Sequence, residues 1–274
     1  MQNSGSESMK ILVTGGTSGL GLELVKIFLE KGFHVVATGR RSIDLPGFEN
    51  KFKSFIIDFS DLRQTAIVTR EICDTYKFDI VINNAGILSP KNFTSTGDGY
   101  EYTFQVNFLA HLLINEIIRL KQEKISPLKV AAVTSPVYRI AKSDLSYIQN
   151  SENYNPVKAY SDSKLYLVLM CRHLSLKYQV RDTIYFSFIP GIFGSGIYRM
   201  QTPLFHSLYH IASPFMKSPA KVAKVLTEIL FEVNIINGSV YDMKKRIRKL
   251  PEIDISVNDA FWKESYRKID PFLR

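Results

Sequence analysis

Short, continuous apolar runs alternate along the chain with longer stretches in which apolar residues recur every three or four positions. The runs at Lys10–Val13, His34–Thr38, Phe52–Ile57, Asp79–Ile82, Lys129–Val133, Thr183–Phe188 and Ser239–Tyr241 are strand-length. Their largely unbroken apolar character predicts strands covered on both faces. Between them, Leu20–Glu30, Leu62–Tyr76, Gly99–Glu123, Pro156–Tyr178 and Ala220–Glu232 carry helical spacing, as at Leu22, Val25 and Leu29 or Leu109, Leu112, Leu113 and Ile117. Repeated strand-then-helix units feed a parallel sheet, so the pattern predicts a doubly wound α/β fold with three layers, α/β/α. Ligands of such sheets bind beyond the carboxyl ends of the strands, and chemistry is therefore sought on the strand-to-helix loops.

Composition narrows the class. With 274 residues and no Gly/Ser/Pro-rich linker, residues 9–274 read as one domain behind a loose polar tail, residues 1–8. No apolar run approaches the roughly 20 residues of a membrane span, which predicts no transmembrane segment and a cytoplasmic protein. Cys73 and Cys171 are far apart and form no CxxC pair, excluding a disulfide framework and a zinc ribbon and predicting two buried thiols. The formal net charge of +9 is partly concentrated in Lys244-Lys245-Arg246-Ile247-Arg248-Lys249. No aromatic residues interleave with that run, so it is read as a solvated edge beside the last strand, with no nucleic-acid partner expected.

The first strand leads directly into Thr14-Gly15-Gly16-Thr17-Ser18-Gly19-Leu20-Gly21 and then a helix. Glycines in such a turn let the backbone approach a pyrophosphate, which then faces the amides at the positive end of the helix. This loop, at the head of a series of strand–helix units, predicts a Rossmann-like dinucleotide site built on Gly15, Thr17, Ser18, Gly19, Leu20 and Gly21. After the second strand, Thr38-Gly39-Arg40-Arg41 offers no carboxylate for a ribose 2′-hydroxyl. Arg40 and Arg41 suit a 2′-phosphate instead, so NADP(H) is expected in preference to NAD(H). Asp58 follows the third strand, where it can accept from an adenine amino group. Asn83-Asn84-Ala85-Gly86 follows the fourth, where Asn84, Ala85 and Gly86 can wall the adenosine ribose.

Together these residues resemble the classical short-chain dehydrogenase/reductase family, whose marks are TGxxxGxG, NNAG, an asparagine inside a helix, a serine and YxxxK. All are present in order, and Gly15, Gly19 and Gly21 fit the classical loop, whereas the extended branch would need glycine at Ser18. The segments Asn237–Tyr241 and Phe261-Trp262 are similar to the retinol dehydrogenase and protochlorophyllide reductase branch. The resemblance implies an NADP-dependent oxidoreductase moving a hydride between nicotinamide and a carbonyl or alcohol carbon. Ser135 would then bind the carbonyl oxygen, with Thr134 as its local competitor. Asn107 would hold a water of the proton relay and disturb its helix locally. Pro190, Gly191 and Ile192 would face the nicotinamide carboxamide, and Ser195 would replace the usual threonine nearby.

YxxxK occurs four times: Tyr138/Lys142, Tyr154/Lys158, Tyr160/Lys164 and Tyr241/Lys245. Pro156 suits the first position of a helix after Asn155, which leaves Tyr154 outside and puts Tyr160 and Lys164 on one face. That pair is the expected catalytic tyrosine and lysine. Free tyrosine has a pKa of about 10, and bringing it near neutrality takes roughly 4 kcal/mol of selective phenolate stabilisation, so the lysine must be held close.

The resemblance also puts a variable substrate lid at residues 194–217, and its Ile197, Tyr198, Met200, Leu204, Phe205, Leu208, Tyr209 and Ile211 suit an apolar carbonyl or alcohol substrate. His206 and His210 lack the glutamate of HExxH and a third ligand, and no metal is expected. Apolar faces on Phe108–Leu120 and Leu165–Leu174 suggest the helix-paired homodimer or homotetramer common in the family. The competing reading is a non-catalytic NADP-binding regulator or scaffold on the same fold. The joint presence of Ser135, Tyr160, Lys164 and Asn107 argues against it.

Overall fold

The computed structural model describes residues 8–122, 127–141, 151–178, 183–191, 218–250 and 255–274, with side chains from 258 in the last segment. Its strands are β1 (Lys10–Thr14), β2 (His34–Gly39), β3 (Phe52–Ile56), β4 (Ile80–Asn83), β5 (Lys129–Val133), β6 (Ile184–Ile189), β7 (Val240–Asp242) and β8 (Ile247–Arg248). They form one sheet in the order β3-β2-β1-β4-β5-β6-β7-β8. Pairing is parallel up to β7 and antiparallel between β7 and β8. The chain reverses its direction of travel across the sheet between β1 and β4, so the ends of these two strands form the crevice in which a doubly wound sheet binds ligand.

Each central strand feeds both faces. Ile11 and Val13 of β1 enter one apolar core while Leu12 enters the other, and Val35 and Ala37 likewise alternate with Val36. One core is closed by α1 (Gly19–Glu30) and a helix at Pro219–Glu232, through Leu24, Val25 and Phe28 against Val222, Leu226 and Ile229. The other is closed by α2 (Leu62–Thr75), by α3 through residues 102–121, and by α4 (Pro156–Lys177). The Pro219–Glu232 helix is α5. Local chemistry sets the helix starts. Asp61 accepts from Gln64 N at 2.8 Å ahead of α2, and Asn155 accepts from Val157 N and Lys158 N ahead of α4, whose first residue is Pro156.

The predicted strands and helices are found with small shifts at their ends, and three points are corrected. The helix expected from Gly99 starts later: Gly99 has a positive φ of 84°, and the Glu101 carboxylate caps the amides of Thr103 and Phe104. Its course is α-helical at Tyr102–Phe104, π-helical at Gln105–Leu109 and α-helical again at Ala110–Lys121. The basic run is partly strand: Ile247 and Arg248 are β8, Lys245 pairs with Glu228, and Arg246 and Arg248 pair with Asp242.

The third correction concerns α6 (Ile255–Ile269), which the sequence reading left out. Its Phe261 and Trp262 are 3% and 5% exposed and lie on the helix faces expected to meet another subunit. Phe261 packs on Tyr166 and Phe108, and Trp262 stacks on His173 with ring centroids 4.0 Å apart. Buried Glu116 on α3 accepts from the hydroxyls of Tyr266 on α6 and Tyr178. The chain thus covers those faces itself. Both cysteines are buried and free, and burial raises each thiol to about 12. No described helix is long and apolar enough to cross a membrane.

Candidate active site

The glycine-rich turn is built against the end of β4. The Thr14 hydroxyl accepts from the backbone amides of Asn84 at 2.9 Å and Ala85 at 3.0 Å. In return the Asn84 side-chain amide donates to the carbonyls of Thr14 and Gly15. Approach is so close that a Cβ on Gly15 would lie 2.9 Å from Ala85 Cα, and one on Gly21 would lie 2.2 Å from the Gly15 carbonyl oxygen. Gly19 meets a different need: nothing crowds it, but its φ is +54°. Ser18 is the N-cap of α1 and makes no side-chain cap bond. The first amides of that helix therefore face outward with a partial positive charge, a match for phosphate oxygens.

Beside this turn, a Cβ on Gly39 would meet the Thr17 hydroxyl at 2.4 Å, so β2 ends flush against the loop. Arg40 and Arg41 follow there, both exposed and free of ion pairs among the described residues. Asp58 reaches the same edge, because Ile57 N donates to the Gly39 carbonyl. One Asp58 carboxylate oxygen accepts from the amide and hydroxyl of Ser60, which holds the turn into α2. Gly15, Thr17, Ser18, Gly19, Leu20, Gly21, Arg40, Arg41, Asp58, Asn84, Ala85 and Gly86 accordingly share one edge of the sheet. A cradle that excludes Cβ atoms, an open helix terminus and exposed guanidinium groups together suit an anionic, phosphate-bearing ligand.

A second group lies next to it. Asn107 sits in the π-helical stretch of α3, fully buried, with its Oδ1 accepting from Ile87 N at 2.8 Å. Its Nδ2 donates to Ile87 O at 2.9 Å and to Ser163 Oγ at 3.0 Å. Gly86 leaves room here, since its Cβ would stand 3.2 Å from both Asn107 Oδ1 and Lys164 Nζ. Lys164 is 4% exposed and donates to the Val133 carbonyl at 3.3 Å, and burial lowers its ammonium to about 8. Tyr160 lies one helical turn earlier and is partly exposed, its ring centroid 5.8 Å from Lys164 Nζ.

The two hydroxyls after β5 separate cleanly. Thr134 is buried and donates to the Lys164 carbonyl at 2.7 Å, which commits it to the backbone of α4. Ser135 is partly exposed and begins a 3₁₀ turn at Pro136–Ile140. The other YxxxK tyrosines are occupied elsewhere. Tyr138 is in the apolar core, the Tyr154 hydroxyl donates to Pro90 O, and the Tyr241 hydroxyl accepts from Ile236 N. Their lysines differ too: Lys158 pairs with Asp162 and Lys245 with Glu228, while Lys142 lies outside the described residues. Pro190 is buried at the end of β6 and Gly191 follows with a φ of 74°. Ile192, Ser195, the histidines 206 and 210 and the 194–217 lid lie outside the described residues.

Sequence reading missed Thr14, Ser163 and His111. Thr14 precedes the glycines of the motif and His111 stands four residues after Asn107, one turn along the same helix face. Only the fold gives them partners.

Residues 9–124 match the short chain dehydrogenase family. Mouse retinol dehydrogenase 12 is 27% identical over 224 residues, covering 78% of this chain and 70% of the relative. Human polyprenol dehydrogenase is 31% identical over 178 residues, covering 60% of this chain and 53% of the relative. Among solved structures, a 4-hydroxyisoleucine dehydrogenase complexed with NADH superposes with a TM-score of 0.67 at 19% identity, covering 86% and 96% of the two chains, a likeness of fold. Over residues 9–124 the chain is similar to the short chain dehydrogenases and, over 78% of its length, to a retinol dehydrogenase.

Proposed function

We propose that residues 9–274 act as one catalytic unit, an NADP(H)-dependent oxidoreductase that interconverts an apolar carbonyl compound and its alcohol. The observation that carries the reading is the burial of Lys164 Nζ against the Val133 carbonyl and Gly86, beside Asn107 and one turn from Tyr160. A structural lysine gains nothing from that position, because desolvation disfavours its charge and no carboxylate pairs with it among the described residues. A lysine that supports a phenolate does.

A bound nicotinamide dinucleotide would supply or accept the hydride at the substrate carbon. In the reductive direction the Tyr160 hydroxyl donates its proton to the substrate oxygen, and Lys164 stabilises the phenolate left behind. The Ser135 hydroxyl, free of the backbone commitment of Thr134, donates to the same oxygen as charge develops on it. Asn107 holds Ile87 and Ser163, and with them the wall beside Lys164. At the other end, the amides of Ser18, Gly19 and Leu20 and the Thr17 hydroxyl are suited to the diphosphate, Asp58 to the adenine amine, and Arg40 and Arg41 to a 2′-phosphate. Gly191, Ile192 and Ser195 belong to the nicotinamide end in this reading. Retinol and polyprenol, the alcohols in the relatives' names, are long and apolar, as is the composition of residues 194–217.

The test is oxidation of NADPH and, in parallel, NADH against apolar aldehydes and ketones, with the reverse reaction on the corresponding alcohols. Turnover that favours NADPH, with the preference lost on replacing Arg40 and Arg41 by alanine, supports the reading. Tight NADPH binding without turnover across the panel would replace it with the regulator.

A further inference from the structure

His111 is wholly buried beside the group just described, and no step of the proposed reaction uses it. Its two ring nitrogens face partners from opposite ends of the site. Nδ1 is 3.0 Å from the Asn107 carbonyl oxygen and Nε2 is 3.1 Å from the Thr14 hydroxyl. Phe59 closes over it edge-to-face, with centroids 5.2 Å apart.

The partners fix the protons. Burial lowers the imidazole to about 3, so at working pH the ring is neutral with a single N–H. A carbonyl oxygen only accepts, which puts that proton on Nδ1. Nε2 is then an acceptor, and the Thr14 hydroxyl donates to it at 3.1 Å, a shorter contact than the 3.3 Å to its other acceptor, the Ile82 carbonyl. With its one proton so directed, Thr14 Oγ1 presents its lone pairs to Asn84 N and Ala85 N, the bonds that seat the glycine-rich turn on β4. At the other end, the π-helical stretch joins Ala110 N to Gln105 O, five residues back, and the Asn107 carbonyl accepts from a side chain, that of His111.

We infer that His111 is a positioning residue that couples the two halves of the site, setting the hydroxyl of Thr14 beneath the dinucleotide turn and the backbone of Asn107 beside Lys164. It touches neither substrate nor cofactor. The inference rests on the dinucleotide reading above for its functional consequence, while the proton arrangement rests on the geometry alone. Breaking the Thr14 link loosens dinucleotide binding, and breaking the Asn107 link lowers the rate of the bound complex.

Histidine-selective ¹⁵N NMR of the full chain tests the arrangement without any ligand, the His111 signal being identified by its loss in His111→Gln. The expected spectrum is that of a neutral Nδ1–H ring, unchanged from pH 5 to pH 9. Variants then separate the links, since asparagine carries a donor where Nδ1 was and glutamine reaches toward where Nε2 was. Losing one buried hydrogen bond is expected to cost about tenfold in the quantity it supports. His111→Asn should lose about that much NADPH affinity while keeping kcat, and His111→Gln the reverse. His111→Phe should lose both. An Nε2–H tautomer, a ring that titrates near 6.5, or Asn and Gln variants that lose affinity and kcat in equal measure would overturn the inference. A wild-type chain that shows the expected tautomer yet binds neither NADPH nor NADH would overturn the coupling by refuting the dinucleotide reading itself.

Discussion

Two glycines of the dinucleotide turn offer a sharp test, because the fold needs them for different reasons. A methyl group on Gly21 would stand 2.2 Å from the Gly15 carbonyl oxygen and 2.6 Å from Asn84 Nδ2, where ordinary contact begins at 3.4 Å. The start of α1 and the turn must therefore part by roughly 1 Å, against backbone rather than a flexible side chain. Overpacking of that kind costs about 1–3 kcal/mol, and it also breaks the Asn84 clamp on Gly15. At Gly19 nothing lies within 4 Å, and alanine there bears only the penalty of a left-handed backbone, about 1–2 kcal/mol. Gly21→Ala should weaken NADPH binding by at least tenfold, corresponding to about 1.4 kcal/mol or more, and Gly19→Ala should weaken it less. Fluorescence titration with NADPH, paired with urea unfolding to separate binding from stability, measures both. The reasoning fails if Gly21→Ala binds like the wild type, or if Gly19→Ala is the more damaging of the two.

Lys164 gives a pH signature. Its ammonium is lowered by burial from 10.5 to about 8, so between these values the unfolded chain holds a proton that the folded chain has released. The contribution of Lys164 to stability therefore rises with pH through that window, from a buried charge below pH 8 to no penalty near 10.5. Urea unfolding of wild type against Lys164→Met should show the wild type gaining, by on the order of 1–3 kcal/mol, as pH is raised from 7.5 to 10; a constant gap would contradict it. In α6, truncating the buried Trp262 to alanine removes its stack on His173 and should cost about 3–5 kcal/mol. Because α6 packs on Phe108 and Tyr166, any dimer the wild type forms should not run through those two side chains, and cross-linking that places them at a dimer seam of the intact chain would refute that view.

Sequence pattern carried the sheet, because buried parallel strands are continuous apolar runs and their helices have a regular stripe. The glycine turn and the Tyr160/Lys164 pair were legible too, since their spacing is local, whereas Asn107 came from the family resemblance. Pattern failed where partners are remote. Residues 255–269 place Phe261, Trp262, Tyr266 and Ile269 at helical spacing, but the partners of that side include Phe108, Tyr166 and His173, far away in the chain. β8 is two residues long and owes its existence to pairing with β7. The coupling of Thr14 to His111 spans 97 residues and leaves no periodic trace. Thr134 and Ser135 look equivalent in sequence; only the Lys164 carbonyl distinguishes them.

The most direct test of the proposed chemistry follows a labelled hydride. NADPH carrying deuterium at both C4 positions is incubated with an apolar aldehyde that turns over, and the alcohol product is examined by mass spectrometry for wild type and Tyr160→Phe. The account predicts one deuterium on the carbinol carbon with wild type, and a rate lower by about 10²–10⁴ in the variant with cofactor binding retained. Product without deuterium, or full activity in Tyr160→Phe, would contradict it.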